Sequence, residues 1–390
     1  MSLSKLRFLT AGESHGKGLT VIVEGIPAGL PLTEEYLARD MARRQKGYGR
    51  GGRMQIEKDH AEIMAGVRQG MTLGSPISLW VQNRDWDNWQ GPMSIGKTDK
   101  EPTRVTRLRP GHADLAGVVK YGQDDVRNIL ERASARETAA RVAAGGVAKR
   151  FLDEFGIELN AHVLSVSGHQ AELPSSIDWE KVEESPVRCA DPDAEKIMMR
   201  AIDEAKEAGD TAGGVFEVIA TGVPVGLGSH IQWDHKLDGR IAQALMSIHA
   251  VKGVEIGTGF SQADLPGSQV HDIIEPWSGT TGPRWRRKTN NAGGLEGGMT
   301  TGQPVVARVA IKPISTLSKP LPSVDLVTGE VVQAHYERSD VCQVPPACVI
   351  GEGMMAIVLA DAFLEKFGGD HLEETRRNYH AYLAQTGMAE

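Results

Sequence analysis

Along this chain, the order of hydrophobic and polar residues alternates between segments typical of strands and segments typical of helices. Residues 19–25 and 215–221 are runs of β-branched and other apolar residues, a composition typical of strands. Thr33, followed by two glutamates, has the signature of a helix N-cap and predicts a helix that continues to about Gln45. A similar helical pattern covers about 237–250. The chain is therefore predicted to mix strands and helices throughout its length.

Two longer helices are predicted at about 137–155 and 353–367. The first is built largely from alanine and glycine, and the second is apolar on nearly every face. A helix that is small or apolar all round is normally buried and closely packed. We therefore predict an α+β fold of the β-α-β sandwich type, with central buried helices between antiparallel sheets. Two ordinary α+β domains placed side by side are the alternative.

Three short segments recur in the same order in the two parts of the chain. The first pair, 21–30 and 218–227, is identical at six of ten positions. The others pair 70–76 with 298–304, and 151–156 with 363–368. Self-similarity of this kind indicates repeated structural units. We predict one domain covering 1–390 and made of two related halves, about 1–190 and 191–390, with internal duplication.

Composition and charge narrow the classes of protein that remain. Charged residues make up 24% of the chain and hydrophobic ones 40%, which is typical of a soluble globular protein. The most apolar helical stretch, 354–364, contains Asp361 and is shorter than the roughly 20 residues needed to cross a bilayer, so no membrane contact is predicted. The three cysteines lack disulfide or metal spacing and no secretion signal is recognisable, which favours the cytoplasm.

The net charge of −8 argues against a protein coated in positive charge for nucleic-acid binding. The 45 glycines are more than usual, and glycine is enriched where the backbone turns sharply or approaches a ligand. Arginines are concentrated within 39–53 and 104–109. Local positive clusters on an acidic protein suggest a small anionic ligand.

Three short motifs suggest other functions, and their context argues against each. Residues 12–16 match the nucleophile elbow G-x-S-x-G and nearly match a P-loop, but the segment that follows is predicted to be a strand rather than a helix. Residues 47–52 resemble a dinucleotide fingerprint, but they follow a helix rather than a strand. His230, Asp234 and His235 lack a further ligand at metal-site spacing, so no metal site is predicted.

Glycine-rich loops carry most of the ionisable residues of interest. Arg44, Arg50, Arg53 and Arg136 have few acidic neighbours in the sequence, and the planar guanidinium group matches phosphate and carboxylate geometry. His15 and His112 each adjoin glycine on such loops, where an imidazolium could hold or protonate a departing anion. The glycine-rich segment 290–302 and the segment 312–316, which contains lysine, serine and threonine, suggest a second, phosphate-bearing ligand.

Eight strings that include these loops occur in one order between residue 6 and about residue 368. They are GESHGKG, RRQKGYGRGGRM, RPGHAD, RASARET, HAVKGVEIGTGF, TNNAGGLEGGMTTG, KPIST and ERSDVC. Together they closely resemble the chorismate synthase family. The resemblance implies a cytoplasmic homotetrameric lyase that uses reduced FMN, with no nucleic-acid or membrane partner. Its reaction is the 1,4-anti elimination of phosphate from 5-enolpyruvylshikimate 3-phosphate, which gives chorismate.

The resemblance also implies roles for particular residues. His15, His112 and Asp340 correspond to catalytic residues, with one histidine near the leaving phosphate, the other near the flavin ring, and the aspartate assisting removal of the C6 proton. The arginines that surround the substrate correspond to Arg44, Arg50, Arg53, Arg136 and Arg338. Flavin contacts correspond to Arg132, Ala133, Ser134, His249, Ala250, Gly297, Lys312, Pro313, Ile314, Ser315, Thr316 and Arg338.

One position departs from the family pattern, and two other functions remain as alternatives. His249 stands where the family often has asparagine or glutamine, so the flavin contact there could differ. A flavin-dependent oxidoreductase would oxidise NAD(P)H in step with product formation. A nucleic-acid-binding module would associate with oligonucleotides in a steeply salt-dependent manner.

Overall fold

The computed structural model of the chain describes residues 5–51, 59–99, 102–277 and 285–386. The strands are β1 Arg7–Ala11, β2 Gly18–Glu24, β3 Ala61–Ala65, β4 Val67–Arg68, β5 Met71–Thr72, β6 Ile77–Gln82, β7 Glu158–Val166, β8 His169–Gln170, β9 Gly214–Thr221, β10 Val251–Ile256, β11 Ile274–Pro276, β12 Trp285–Arg287, β13 Leu295–Glu296, β14 Met299–Thr300, β15 Val305–Ile311, β16 Pro322–Val324 and β17 Val331–Gln333. The α-helices are α1 Glu34–Gln45, α2 Asp114–Tyr121, α3 Arg127–Ala133, α4 Thr138–Asp153, α5 Trp179–Glu184, α6 Pro192–Glu207, α7 Leu237–Met246, α8 Gly267–Val270, α9 Val344–Phe367 and α10 Leu372–Thr386.

Two antiparallel sheets contain most of the strands. The first has the order β1-β2-β6-β3, and the second has the order β10-β15-β9-β7-β8. Helix α1 begins where the sequence predicts, because the Thr33 side chain accepts a hydrogen bond from the Tyr36 amide. The predicted α+β class is confirmed.

Helices α4 and α9 form the centre of the molecule and pack against each other. Helix α4 also contacts strands of the first sheet and β7, and α9 contacts β7 and β9 of the second sheet. Nearly every residue of α4 is buried. The buried core therefore follows this helix pair, as the alanine-rich and apolar patterns predict.

The second long helix is longer than predicted. It begins at Val344 rather than near residue 353, with Pro345 and Pro346 in its first turn. Proline is tolerated there because the first amide groups of a helix have no intrahelical acceptor. With 24 residues, α9 is long and apolar enough to cross a membrane, so the expectation of only a short apolar stretch was wrong. Of its most apolar stretch, 94% is buried inside the protein, which is typical of a core helix.

Equivalent threonines in the two repeated segments make equivalent hydrogen bonds. Thr72 Oγ1 donates to the Pro27 carbonyl at 2.6 Å and accepts from the Leu30 amide at 2.9 Å. Thr300 Oγ1 makes the same pair of bonds, at 2.6 and 2.8 Å, to the proline and leucine of the second copy. Each threonine lies in a short hairpin strand that precedes a longer sheet strand, β6 or β15. The repeated sequence segments therefore correspond to repeated local structure.

Six charged side chains, three of each sign, form a buried cluster between α1, α4, α5 and α9. They are Asp40, Arg43, Lys149, Glu183, Arg188 and Glu352. Burial alone would raise the pKa of Glu352, but Lys149 at 2.5 Å and Arg43 at 2.7 Å lower it below its usual range. The cluster contains Arg43, whose neighbour along α1 is Arg44. The salt bridges of Arg43 fix the C-terminal end of α1, and Arg44 extends from that end.

The closest approach of α4 and α9 occurs at two glycines and yields a stability prediction. A Cβ atom on Gly145 would lie 2.4 Å from Gly353 Cα, whereas a Cβ atom on Gly353 would meet its nearest neighbour at 3.4 Å. We expect Gly145→Ala to lower the free energy of unfolding by about 1–3 kcal/mol, because backbone must move to relieve the overlap. Equilibrium denaturation in urea measures this change.

Gly353→Ala is the matched control for that variant. It adds the same methyl group to the facing helix at ordinary van der Waals distance, and alanine favours the helix by about 1 kcal/mol over glycine. Its unfolding free energy should stay close to that of the native protein. Equal destabilisation by both variants would show that the helix contact does not depend on this close approach.

Candidate active site

A cavity of about 780 Å³ opens where the N-terminal ends of α4 and α9 meet. Thr138 of α4 and Pro346, Ala347 and Ile350 of α9 contribute to its wall. The unpaired amide groups at a helix N-terminus carry partial positive charge, which favours anions. The packing of the two central helices therefore places two such ends at one cavity.

Arg44 and Arg136 line this cavity, and both are buried against the same carboxylate. Arg44 Nη1 lies 3.2 Å from Asp59 Oδ2, and Arg136 Nη1 pairs with Asp59 Oδ1. Arg44 also donates through Nε to Thr138 Oγ1 at 3.0 Å. These contacts hold both guanidinium groups in place.

Arg50 also has a carboxylate partner. Its Nη1 lies 2.8 Å from Asp340 Oδ2, while Asp340 Oδ1 accepts a hydrogen bond from the Gly51 amide at 2.7 Å. The sequence places few acidic residues near these arginines. In the folded protein, however, Arg44, Arg50 and Arg136 each contact a carboxylate, so the expectation that they lack acidic neighbours was wrong. Asp340 pairs with Arg50, and Asp59 with Arg136, from distant parts of the chain, so sequence proximity could not show these two pairs.

Positive charge nevertheless predominates on the cavity wall. Among the described residues that line it, seven are lysine or arginine and three are aspartate or glutamate. Three of the cations, Arg338, Lys252 and Lys312, form no salt bridge to a carboxylate within the described ranges. Burial and the neighbouring Lys252 lower the pKa of Lys312. A polyanionic ligand would relieve this repulsion.

His15 is buried at the cavity wall and held by Glu131. Its Nδ1 lies 2.9 Å from Glu131 Oε1, and its backbone amide donates to Glu131 Oε2 at 2.8 Å. The Trp89 ring stacks on the imidazole with 3.8 Å between ring centroids. Arg127 pairs with Glu131 at 2.8 Å and lies over the Trp89 ring. Carboxylate and indole together fix the orientation of the His15 ring.

His112 is held in a similar way by Asp114. Its Nδ1 lies 2.5 Å from Asp114 Oδ1, and Arg109 Nε lies 2.9 Å from Asp114 Oδ2. Burial alone would raise the pKa of Asp114, but the hydrogen bonds from His112 and Arg109 lower it to about 2. Asp114 is therefore a carboxylate near neutral pH.

His249 lies on the same cavity and has a different environment. Burial lowers its pKa to about 4, although Glu137, 4.0 Å away, acts in the opposite direction. Its Nδ1 is buried and has no hydrogen-bond partner among the described residues. A neutral imidazole offers one donor and one acceptor, the same set that an asparagine or glutamine amide presents at this position.

The cavity brings together most of the predicted site residues. Those that line it are His15, Arg44, Arg50, His112, Ala133, Ser134, Arg136, His249, Ala250, Lys312, Ile314, Ser315, Thr316, Arg338 and Asp340. Apolar wall from Ala133, Ala250 and Ile314 lies beside the polar side chains of Ser315 and Thr316. An apolar wall with nearby cations and hydroxyl groups suits a flat aromatic cofactor that carries phosphate.

Three of the four remaining predicted contacts lie off this wall. Arg132 donates to the carbonyl groups of Thr10 and Gly12. Gly297 lies in the turn between β13 and β14, and Pro313 is exposed beside the cavity residues. Arg53 lies outside the described residues. The roles of all four stay predictions.

Sequence reasoning missed several groups that organise the site. Asp59 and Trp89 carry no recognisable motif, and only folding brings them to the arginines and His15. Asp114 ends the string RPGHAD, and Glu131 directly precedes the string RASARET. Their position next to charged loop residues was the available signal for a supporting role.

His249 should give the stability of the protein a specific pH dependence. Its pKa of about 4 in the folded state is lower than the ordinary 6.5, so between these values the unfolded chain binds more protons. Its contribution is therefore complete above about pH 6.5 and is lost as the pH falls toward 4. His249→Asn should reduce the dependence of the unfolding free energy on pH in this window, by up to about 1.4 kcal/mol per pH unit.

Urea denaturation of the native protein and His249→Asn at pH 6.5 and pH 5.0 measures the difference. The variant should lose less stability than the native protein between the two pH values. Equal losses of unfolding free energy in the two proteins would contradict a lowered pKa of His249 in the folded state.

Comparison with known proteins assigns this chain to a family. A family model described as chorismate synthase matches residues 6–364. A chorismate synthase of Moorella thermoacetica is 59% identical over 386 residues, which cover 97% of this chain and 100% of the relative. One of Aquifex aeolicus is 57% identical over 395 residues, covering 98% of each.

The fold agrees with that assignment. A crystal structure of chorismate synthase has a TM-score of 0.79 to this chain at 47% sequence identity, and the match covers 99% of both chains. The family model, the relatives and the solved structure all extend over nearly the whole length, so the match is not confined to one motif. This chain belongs to the chorismate synthase family.

Proposed function

We propose that this protein converts 5-enolpyruvylshikimate 3-phosphate to chorismate and phosphate by 1,4-anti elimination, with reduced FMN as cofactor. The observation that carries this proposal is the cavity lined by seven lysine or arginine residues, three of which have no carboxylate partner in the described structure. The substrate bears one phosphate and two carboxylates. The negative charge of the substrate complements the excess positive charge of the cavity.

The two helix N-termini and the cations have a role in the chemistry as well as in binding. When the C–O bond to phosphate breaks, negative charge accumulates on the leaving oxygen. Fixed donors that meet this charge stabilise the transition state more than the bound substrate. Arg44 and Arg136 are already held by Asp59, so little reorganisation is needed as the bond breaks.

Three titratable side chains hold or move protons in the proposed reaction. His15 and His112 each have Nδ1 engaged by a carboxylate, which makes Nε2 the nitrogen that exchanges a proton with phosphate or cofactor. Asp340 is the cavity carboxylate that assists removal of the C6 proton. Its contacts with Arg50 and the Gly51 amide fix its position.

The described residues fit a reduced flavin. The buried Nδ1 of His249 lacks a hydrogen-bond partner in the described part of the chain, and Lys312, Ser315 and Thr316 provide phosphate-directed donors on the same wall. Reduced FMN supplies an electron-rich ring that can lend electron density to the substrate and recover it as phosphate leaves. The apolar residues of the wall exclude water from that contact.

The proposed activity is tested by phosphate release under anaerobic conditions. The protein is incubated with 5-enolpyruvylshikimate 3-phosphate and either reduced FMN, oxidised FMN or no flavin. Phosphate and chorismate should form in equal amounts only with reduced FMN, which should not be consumed. Oxidation of NAD(P)H in step with product would instead favour an oxidoreductase.

Removal of the His15 imidazole should lower turnover much more than substrate affinity. We expect His15→Ala to reduce kcat by about 10²–10⁴-fold, the usual contribution of general acid–base catalysis, with a smaller change in KM. Steady-state phosphate release with reduced FMN measures both constants. His60→Ala changes an exposed histidine outside the cavity and should leave both unchanged. An unchanged kcat in His15→Ala would rule out the role of this side chain.

We also propose that the chain is a single β-α-β sandwich domain formed by internal duplication, with halves at about 1–190 and 191–390. Support comes from the equivalent hydrogen bonds of Thr72 and Thr300 and from the order of elements around them. The central helices α4 and α9 occupy equivalent places in the two halves. Each helix ends within one of the repeated segments, 151–156 or 363–368.

The quaternary structure and location proposed here are a homotetramer in the cytoplasm, without a nucleic-acid or membrane partner. Leu9 and Ile22 pair across β1 and β2 and are both exposed, with 69% and 41% of their surface accessible. Neighbouring exposed apolar side chains are typical of an association surface. Sedimentation equilibrium measures the subunit number directly.

A further inference from the structure

Two of the three histidines that line the cavity, His15 and His112, belong to the same kind of three-residue arrangement. In each, a buried carboxylate contacts the Nδ1 atom of the histidine and also pairs with an arginine. Glu131 joins His15 to Arg127, with 2.9 Å to Nδ1 and 2.8 Å to the guanidinium group. The repetition of one arrangement at two sites suggests a shared requirement.

The second arrangement joins His112, Asp114 and Arg109. Asp114 Oδ1 lies 2.5 Å from His112 Nδ1, and Asp114 Oδ2 accepts hydrogen bonds from Arg109 Nε at 2.9 Å and from the Arg109 amide at 3.1 Å. The Asp114 side chain is completely buried, and that of Glu131 is 2% exposed. Water therefore does not compete for either carboxylate.

We propose that Glu131 and Asp114 are positioning residues, which keep a proton on Nδ1 of His15 and His112 and thereby leave Nε2 as the nitrogen that exchanges a proton in the cavity. The inference rests on the proposed function and specifies how the two histidines are prepared for it. Neither carboxylate needs to touch the substrate. Each acts through its histidine.

The chemistry of the three groups leads to this assignment. An ionised carboxylate can only accept hydrogen bonds, so an imidazole nitrogen that contacts it must carry the proton. Burial opposes ionisation of Glu131, but hydrogen bonds from His15 and Arg127 lower the pKa of that carboxyl group. Hydrogen bonds from the histidines and the arginines thus keep both carboxylates ionised. Arg109 Nη2 also lies 3.1 Å from His112 Nδ1, but the contact of this nitrogen with Asp114 is shorter, at 2.5 Å, and assigns the proton to Nδ1.

Ring orientation is fixed together with the tautomer. The Glu131 carboxylate accepts from the backbone amide as well as the ring of His15, and Trp89 stacks on the ring face. For His112, Arg109 also contacts Thr316, a residue of the proposed cofactor wall, at 3.2 Å. Each arrangement therefore connects its histidine to the surrounding structure of the site.

A third histidine–carboxylate–arginine arrangement, in which the carboxylate contacts Nε2 rather than Nδ1, lies away from the cavity and provides a control for loss of a buried carboxylate. Glu217 on β9 contacts His162 Nε2 at 3.2 Å and Arg308 Nε at 2.8 Å, across three adjacent strands of the second sheet. None of these residues lines the cavity. Changing Glu217 removes an equally buried carboxylate from an equivalent set of partners without affecting the proposed reaction.

The test compares Glu131→Gln and Asp114→Asn with Glu217→Gln. A carboxamide can donate through its NH₂ group to Nδ1, so it permits the tautomer with the proton on Nε2. In analogous catalytic arrangements, an amide in place of the carboxylate keeps the geometry but selects the wrong tautomer. We expect each cavity variant to lower kcat by about 10²–10⁴-fold, with a much smaller change in KM. Glu217→Gln should retain native kcat.

Histidine ring ¹⁵N resonances provide a measurement that does not depend on activity. In protein labelled with [¹⁵N]histidine, His15 should show a protonated Nδ1 in the native chain and in Glu217→Gln, and a different pattern in Glu131→Gln. His112 should respond in the same way to Asp114→Asn. Single-residue substitution of each histidine assigns its resonances. Thermal unfolding of every variant shows whether it is folded, so that a change of histidine tautomer can be distinguished from unfolding of the protein.

The outcomes distinguish this inference from the proposed function. Unchanged tautomers in the cavity variants, or losses of kcat equal to that of Glu217→Gln, would overturn the positioning role. Absence of phosphate release from the native protein would contradict the proposed function, whereas the ¹⁵N measurement would still test the tautomers. If Glu131→Gln does not fold, Asp114→Asn and Glu131→Asp carry the test. Glu131→Asp retains the acceptor and should preserve the native tautomer.

Discussion

The contact between α4 and α9 is the constraint on which the rest of the structure depends. Gly145 allows the two helix backbones to approach more closely than a side chain there would permit, because a Cβ atom on it would lie 2.4 Å from Gly353 Cα. Each helix also packs on a sheet, so the glycine contact determines how near the two layers come. Because the N-termini of both helices reach one cavity, the same contact places loops from distant parts of the chain around a common ligand site.

Electrostatic compensation is the second condition for assembling that site. Several arginines could not be buried together without partners, because removal of a charge from water is costly. Asp59 serves two of them, Asp340 serves a third and Asp114 a fourth. These pairs hold their guanidinium groups in place before any ligand binds. The remaining cations, including Arg338, provide the excess charge that distinguishes a binding site from a structural salt-bridge cluster.

The buried cluster around Glu352 illustrates that distinction. Its positive and negative side chains balance in number, and its members contact one another between helices rather than at an open cavity. Arg43 belongs to this cluster, while Arg44, the next residue of α1, belongs to the cavity. Adjacent arginines therefore have different roles, because a helix directs successive side chains about 100° apart.

Local patterns predicted much of this fold. The N-cap at Thr33, the strand of 215–221 and the burial of the alanine-rich helix all follow from propensity and periodicity, which act over a few residues. The start of α9 was missed, since the prolines that begin it are also typical of loops. Most of the site residues named from glycine-rich loops and from the family resemblance do line the cavity. Arg132, Gly297 and Pro313 lie off the cavity wall, and Arg53 is outside the described residues.

The sequence by itself determined the elements, the repeated segments and the family, because these depend on the order and spacing of residues along the chain. Only the tertiary structure decided which groups act together. Asp59 with Arg136, Trp89 with His15, and Lys252 with Lys312 are neighbours only in space. Charge pairing, ring stacking and burial depend on distance through space, and the distance between residues along the chain does not specify them.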